Sequence, residues 1–245
     1  MRLRSAVLLA AVLLAVPALA APPADPTALL TSAERVKEPW NEAVLKLRLS
    51  IAKPGAPTVG TELEVAVKGR DRSLIRFLGK DSGKLFLVRG EEAFLLLPGT
   101  KNPIKVPRAH RLKGGFASAD LSNTRFLEDY DAVLEREDVY QERDCAVLRL
   151  TAKKGRKPSY PVVRVWVDRK ESLLRKAVFL VASGRTSKEA TFDSYRDYHG
   201  SPGVEKMTIV DQLVPGTTVV EYLDYEKRSL ADAVFEVATA RTQTW

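Results

Sequence analysis

The side chains able to do chemistry are few and scattered. His110 and His199 are the only histidines, and neither has a second histidine or a cysteine at ligand spacing, so the sequence offers no metal site. Asp120, Glu128, Asp129 and Asp131 form an acidic cluster that in an enzyme would supply a general acid and a base. Acids at turns and strand starts commonly serve as caps and solvated charges instead. No serine lies in a Gly-x-Ser-x-Gly elbow, and no glycine-rich loop ends in Lys-Ser or Lys-Thr. Cys145 is the only cysteine and cannot bridge within the chain, and beside Ala146, Val147 and Leu148 it reads as a small buried apolar side chain. The pattern is that of a binder rather than an enzyme, with no catalytic residue, no metal and no cofactor expected.

The N-terminus carries an export signal. Arg2 and Arg4 give a charged start, Ala6 to Val16 an unbroken apolar run, Pro17 a break, and Ala18-Leu19-Ala20 the small-x-small pattern before a cleavage site. The run is shorter than the roughly 20 residues that span a bilayer, so cleavage after residue 20 is expected, leaving 21–245 as one soluble, periplasmic domain. The formal charge of +8 falls to +6 once Arg2 and Arg4 leave. Basic and acidic residues interleave along most strands, which argues against a nucleic-acid partner. Two stretches differ, Lys101 to Lys113 and Lys153 to Lys157, which hold no acid. They fit either solvated loops or contacts to anionic lipid head groups or an acidic partner surface.

These groups must be positioned by strands. Asp25-Pro26 starts a helix whose Leu29, Leu30, Ala33 and Val36 share a face. From Val44 the period becomes two: Leu45, Leu47, Leu49 and Ile51 lie opposite Lys46, Arg48 and Ser50. Leu63, Val65 and Val67 repeat the pattern after Lys53-Pro54-Gly55, and Ile75 and Phe77 continue it. Phe126 to Asp131 reads as a short helix or loop. Strands then resume, among them Val163, Val165 and Val167 with Trp166 on the other side, each bounded by turn residues. The regular spacing predicts a mainly β protein with few helices, built on one large antiparallel sheet that is strongly curved or nearly closed.

One hairpin stands apart. Leu85 to Val88 and Ala93 to Leu97 are apolar at every position, and the short Arg89-Gly90-Glu91-Glu92 between them makes them partners. A hairpin apolar on both faces needs covering twice, by the core on one side and by a lid, ligand or partner on the other. Leu47, Leu49, Val65, Val67, Phe77, Leu87, Phe94 and Leu96 are therefore expected to line one apolar concavity, the competing expectation being that they pack a filled core. Residues 101–120 are expected to form a movable lid, with Pro103 and Pro107 restricting its entry, Gly114-Gly115 as hinge and Phe116 as an aromatic plug over the ligand. A rigid connection is the alternative.

The order of elements resembles the outer-membrane lipoprotein-sorting (LolA-like) proteins. The similarity rests on Gly83-Lys84-Leu85-Phe86-Leu87-Val88-Arg89-Gly90, Phe94-Leu95-Leu96-Leu97-Pro98-Gly99, Gly114-Gly115-Phe116-Ala117-Ser118-Ala119-Asp120-Leu121, and Val165-Trp166-Val167-Asp168 followed by Leu173-Leu174-Arg175-Lys176. The resemblance implies a half-open β-barrel roofed by helices that shields lipid or lipoprotein acyl chains in transit through the periplasm. An inner-membrane transporter or an outer-membrane acceptor would be its partner, with transient membrane contact. It also implies an arginine governing lid opening, for which Arg72 holds the matching place. The alternative function is a non-enzymatic sensor or scaffold on the same barrel, binding a protein segment along a sheet edge.

Overall fold

Asp25 and Pro26 begin the first helix as their residue types dictate. In the computed structural model, which describes residues 25–69, 71–106 and 126–245, helix α1 spans Pro26–Lys37, and the Asp25 carboxylate accepts the Thr27 N–H at 3.0 Å. Arg35 and Lys37 occupy its last turn, where cations suit the helix dipole. The expected signal at residues 1–20 and the expected lid residues Pro107 to Asp120 lie outside the described residues.

The strands follow one another as β1 (Glu42–Lys53), β2 (Ala56–Lys68), β3 (Arg72–Phe77), β4 (Leu85–Arg89), β5 (Glu92–Leu96) and β6 (Ile104–Val106). A four-residue helix, α2 (Phe126–Asp129), leads into β7 (Tyr130–Tyr140), β8 (Arg143–Ala152), β9 (Val162–Asp168) and β10 (Leu174–Leu180). Three long strands complete the chain's sheet: β11 (Thr186–Tyr198), β12 (Ser201–Asp211) and β13 (Gly216–Lys227). All belong to a 13-stranded antiparallel sheet in the order β6-β5-β4-β3-β2-β1-β13-β12-β11-β10-β9-β8-β7. Its ends, β6 and β7, do not pair with one another, so the sheet is not closed.

Period-two side chains give the sheet two faces. On the inner face, where α1 lies, Leu30 and Ala33 join Leu45, Leu47, Leu49, Leu63, Val65, Ile75 and Phe77 from the first half, and Leu148, Val165, Phe179, Phe192 and Val220 from the second, in one continuous cluster. Burying each such large aliphatic or aromatic side chain contributes about 1.5–3 kcal/mol. α1 packs mainly on β7, β9, β10 and β12. Buried Glu34 fastens it to α2, because its carboxylate accepts the N–H groups of Phe126 and Leu127 at 2.9 and 3.0 Å, two donors that the start of a helix leaves without a partner.

The outer face carries two separate apolar patches. One, on β8 to β10, gathers Cys145, Val147, Trp166, Val178 and Leu180. Cys145 is fully buried there, and burial pushes its thiol up, as expected of an inert packing residue. The other lies on β1 to β5 and is covered by the C-terminal segment, whose Leu230, Val234, Phe235 and Ala240 pack onto Val44, Ala66, Leu74, Leu85, Leu87 and Leu96.

Two strands carry no matching sequence expectation. β6 falls inside the proline-broken basic stretch, and β7 reads Asp-Ala-Val-Leu-Glu-Arg-Glu-Asp-Val without clean alternation from Asp131. β7 is an edge strand whose register shifts between Leu134 and Arg136, and that bulge reverses the phase of the pattern halfway along.

Candidate functional site

Cross-strand register builds the inner face from the predicted residues of β1 to β3. Leu47 stands opposite Leu63 and Leu49 opposite Thr61, while Phe77 pairs with Leu63 and Val65 with Ile75. Val67, half-buried, packs against the same cluster. The structure thus brings Leu47, Leu49, Val65, Val67 and Phe77 together.

It does not bring Leu87, Phe94 and Leu96 to them. Leu87 pairs with Leu74 and Phe94, and Leu85 with Leu96, all on the outer face beneath the C-terminal segment. The inner side of this hairpin is instead Phe86, Val88, Ala93 and Leu95. The correction has a simple cause: where every position is apolar, alternation carries no phase, and only the pairing partner decides which residues face inward. The need for a second cover is met by the chain itself. The two-residue turn at Gly90-Glu91, with Gly90 at φ 57°, matches the short hairpin connection. Phe116 lies outside the described residues.

Arg72 points to the outer face. Its guanidinium meets Asp232 at 2.8 Å and lies over the Phe235 ring at 5.8 Å, so it holds the C-terminal segment. Lys68 adds an ion pair to Asp232 at 2.8 Å and donates to the Leu230 carbonyl at 2.6 Å. The Lys68 ammonium and the Arg72 guanidinium hold the Asp232 carboxyl below its usual range. Further along, Arg89 pairs with Glu236, Arg76 stacks on Trp245 at 3.8 Å and donates to the Gln243 carbonyl, and Arg241 donates to the carbonyls of Leu97 and Thr100. Sequence reasoning left this segment unassigned. The signal that could have found it is Leu230, Val234 and Phe235 with Val237 at near-helical spacing, directly after the last alternating strand.

Aromatic side chains fill the inner face at one end of the sheet, near the start of β1. Trp40 packs edge-on to Tyr225 at 5.1 Å, and Tyr198 lies 6.1 Å from the same ring. Tyr198 donates its hydroxyl to the carbonyls of Val204 and Tyr222 at 3.0 and 2.9 Å. Burial pushes the Tyr222 and Tyr225 hydroxyls far up, so both stay neutral and suit an apolar lining. Toward the other end, Lys188 and Asp211 are buried on the inner face with Nζ 3.9 Å from Oδ2.

Among the described residues no group of three or more His, Cys, Asp or Glu is placed to hold a metal ion. Of the acidic cluster, Asp129 faces Arg156 at 3.8 Å, and Asp120 lies outside the described residues. Among the described residues no helix is long and apolar enough to cross a membrane.

A family model described as "uncharacterized protein" matches residues 69–241, well over half of the chain. The chain belongs to that family. Among solved structures it resembles a LolA superfamily protein from Nitrosomonas europaea, with 24% identity over 86% of this chain and 97% of the other and a TM-score of 0.76. A DUF1329 family protein from Desulfovibrio piger gives 22% identity, 87% and 96% coverage and a TM-score of 0.76. A domain described as a candidate outer membrane lipoprotein-sorting protein from Vibrio parahaemolyticus gives 19% identity, 88% and 98% coverage and a TM-score of 0.73. No curated protein matches the chain. The fold is therefore LolA-like, a half-open antiparallel sheet with helices on its inner side.

Proposed function

We propose that this protein is a periplasmic carrier that shields the acyl chains of an envelope lipid or lipoprotein against the inner face of its sheet on the way to the outer membrane. The observation that carries this reading is the continuous apolar inner face of an unclosed sheet, in a fold shared with LolA superfamily proteins. Leu47, Leu49, Val65 and Phe77 are at most 7% exposed, so the inner face must open to bring them, with half-buried Val67, against an acyl chain. Each methylene removed from water contributes about 0.8 kcal/mol, so a chain segment of several carbons is held without any charged contact. Residues 1–20 direct export and the working chain starts at Ala21, with a membrane transporter or acceptor as partner. The role is that of a chaperone for lipid, with no bond made or broken.

Native mass spectrometry of protein purified without detergent tests this directly. Copurified lipid, lost when Val67→Asp places a charge on the half-buried inner face of a still folded sheet, is the expected result. A lipid-free mass together with no uptake of a fluorescent fatty acid refutes it.

A second reading has one observation behind it. Edge strand β7 runs for 11 residues with Val133 and Val139 54% and 67% exposed, whereas the other edge, β6, has only three residues. A long exposed edge is a template for an added strand. A non-enzymatic sensor or scaffold would bind a protein segment there, and would lose it on Val133→Pro while keeping any lipid.

A further inference from the structure

An antiparallel meander sends its turns alternately to opposite ends, so the connections β1–β2, β3–β4, β5–β6, β8–β9, β10–β11 and β12–β13 share one rim. These turns carry Lys80 and Lys84, then Lys101, and Lys53 ends β1 at the same rim, where buried Asp211 ends β12. The β8–β9 connection adds Lys153, Lys154, Arg156 and Lys157, and β10–β11 adds Arg185. The only acid in these turns is Asp81, which pairs with Lys84 at 2.7 Å. At the same end α2 contributes Glu128 and Asp129, and Asp129 faces Arg156. Lys53, Lys80, Lys101, Lys154 and Lys157 are exposed and form no ion pair among the described residues.

The described turn residues of the opposite rim have the reverse balance, with Asp71, Glu91, Glu142 and Glu171 against Arg169 and Lys170. That is also the end whose inner face Trp40, Tyr198 and Tyr225 fill. The basic rim has aliphatic tips as well. Leu213 and Val214 in the β12–β13 turn are 42% and 47% exposed, and Ile104 at the head of β6 is 46% exposed. The Asp211 carboxylate fixes the first of these turns by accepting the N–H groups of Leu213 and Val214 at 2.9 and 2.8 Å.

We propose that this rim is a docking surface for an anionic lipid bilayer. Basic groups spread over four separate turns and the end of β1 around an open sheet can all meet a charged partner at once only if that partner is broad and flat, and the protruding leucine and valine tips suit insertion between head groups. Each Lys or Arg brought near an anionic leaflet strengthens binding about fivefold, within a Debye length of the surface. The proposal concerns the rim and holds whatever the inner face carries.

Cosedimentation with phosphatidylcholine vesicles, with and without phosphatidylglycerol, reads it. Two variants of equal net charge are compared. One combines Lys53→Gln, Lys80→Gln, Lys101→Gln, Lys154→Gln and Lys157→Gln on the rim. The other combines Lys46→Gln, Arg149→Gln, Lys170→Gln, Lys206→Gln and Lys227→Gln, exposed residues elsewhere. The protein should bind only the phosphatidylglycerol vesicles, the rim variant should bind at least about a hundredfold more weakly, and the other variant should lose about tenfold at most. Leu213→Ser with Val214→Ser, which keeps every charge, should weaken binding several-fold. Absence of binding, equal loss in the two five-site variants, or a rim variant that binds like the parent overturns the proposal.

Discussion

Replacing Phe235 by alanine tests whether the C-terminal segment is part of the core or a loose tail. Phe235 is 0% exposed, packed with Val234 and Leu230 onto Leu74, Leu85 and Leu87, and its ring lies under the Arg72 guanidinium. Removing a buried phenyl ring costs about 3–5 kcal/mol through lost transfer energy and the cavity left behind. The partly exposed cation–π contact adds about 0.5–1 kcal/mol, within the spread of that range. With a urea slope of about 2 kcal/mol/M, the unfolding midpoint should fall by about 1.5–2.5 M. Val237→Ala, at a partly buried position on the same patch, should cost only about 1 kcal/mol. Two probes separate the outcomes: circular dichroism for the sheet and, in a Trp40→Phe and Trp166→Phe background, Trp245 fluorescence for the segment. If the sheet midpoint moves by less than about 0.5 M while the Trp245 signal changes alone, the segment is an independent flap and the outer hairpin face is not covered by the core.

Three other substitutions follow from the geometry. Asp168 is buried; burial raises its carboxyl, but the Glu171 N–H, Arg175, Arg143 and the Lys170 N–H together outweigh that and hold it below its usual range. A carboxyl depressed in the folded state stabilises above its unfolded value and loses that contribution as pH falls through the folded one. Asp168→Asn should therefore cost about 3 kcal/mol at neutral pH, a cost that begins to shrink only below the ordinary carboxyl value of about 4 and keeps shrinking as pH falls through the lower folded value, visible in urea titrations run from neutral pH down into that acid range. Gly203→Ala should cost about 1–3 kcal/mol in thermal unfolding: its Cβ would sit 3.0 Å from the Tyr198 ring, which two hydroxyl hydrogen bonds prevent from swinging aside. Glu34→Ala should cost about 1–3 kcal/mol and raise hydrogen exchange at Phe126 and Leu127 first, since their N–H groups lose their acceptor; unchanged protection there would mean that α2 is held by packing alone.

The fold was legible where one face of a strand meets water. β1 and β2 alternate cleanly because Lys46, Arg48, Glu62 and Glu64 face outward while leucines and valines face the core, so period and phase can both be read. Asp25-Pro26 was equally plain, since a cap and a first-turn proline act through local geometry. β7 was not legible, because an edge strand has no neighbour on one side to demand apolar partners, and its bulge breaks the phase. Legibility fails for a different reason at the C-terminal segment. It is held by the pairs of Arg72 and Lys68 with Asp232 and of Arg89 with Glu236, contacts between residues some 150 positions apart that no local pattern encodes.

The candidate site divides along the same line. Leu47, Leu49, Val65, Val67 and Phe77 share one face because each sits in an alternating strand, whereas Leu87, Phe94 and Leu96 come from the one hairpin whose pattern has no phase. That hairpin was informative all the same: its double apolarity states that two layers must cover it, and the structure supplies the inner core on one side and the chain's own end on the other. A ligand is thus not needed to explain the outer side of β4 and β5. The inner side of β1 to β3 lies away from the main packing of α1, which falls on β7, β9, β10 and β12. Leu47, Leu49, Val65 and Phe77 are nevertheless at most 7% exposed, so the proposed acyl ligand reaches them only through an opening of the inner face, and Val67→Asp probes it where a charge meets a half-buried position rather than the packed centre.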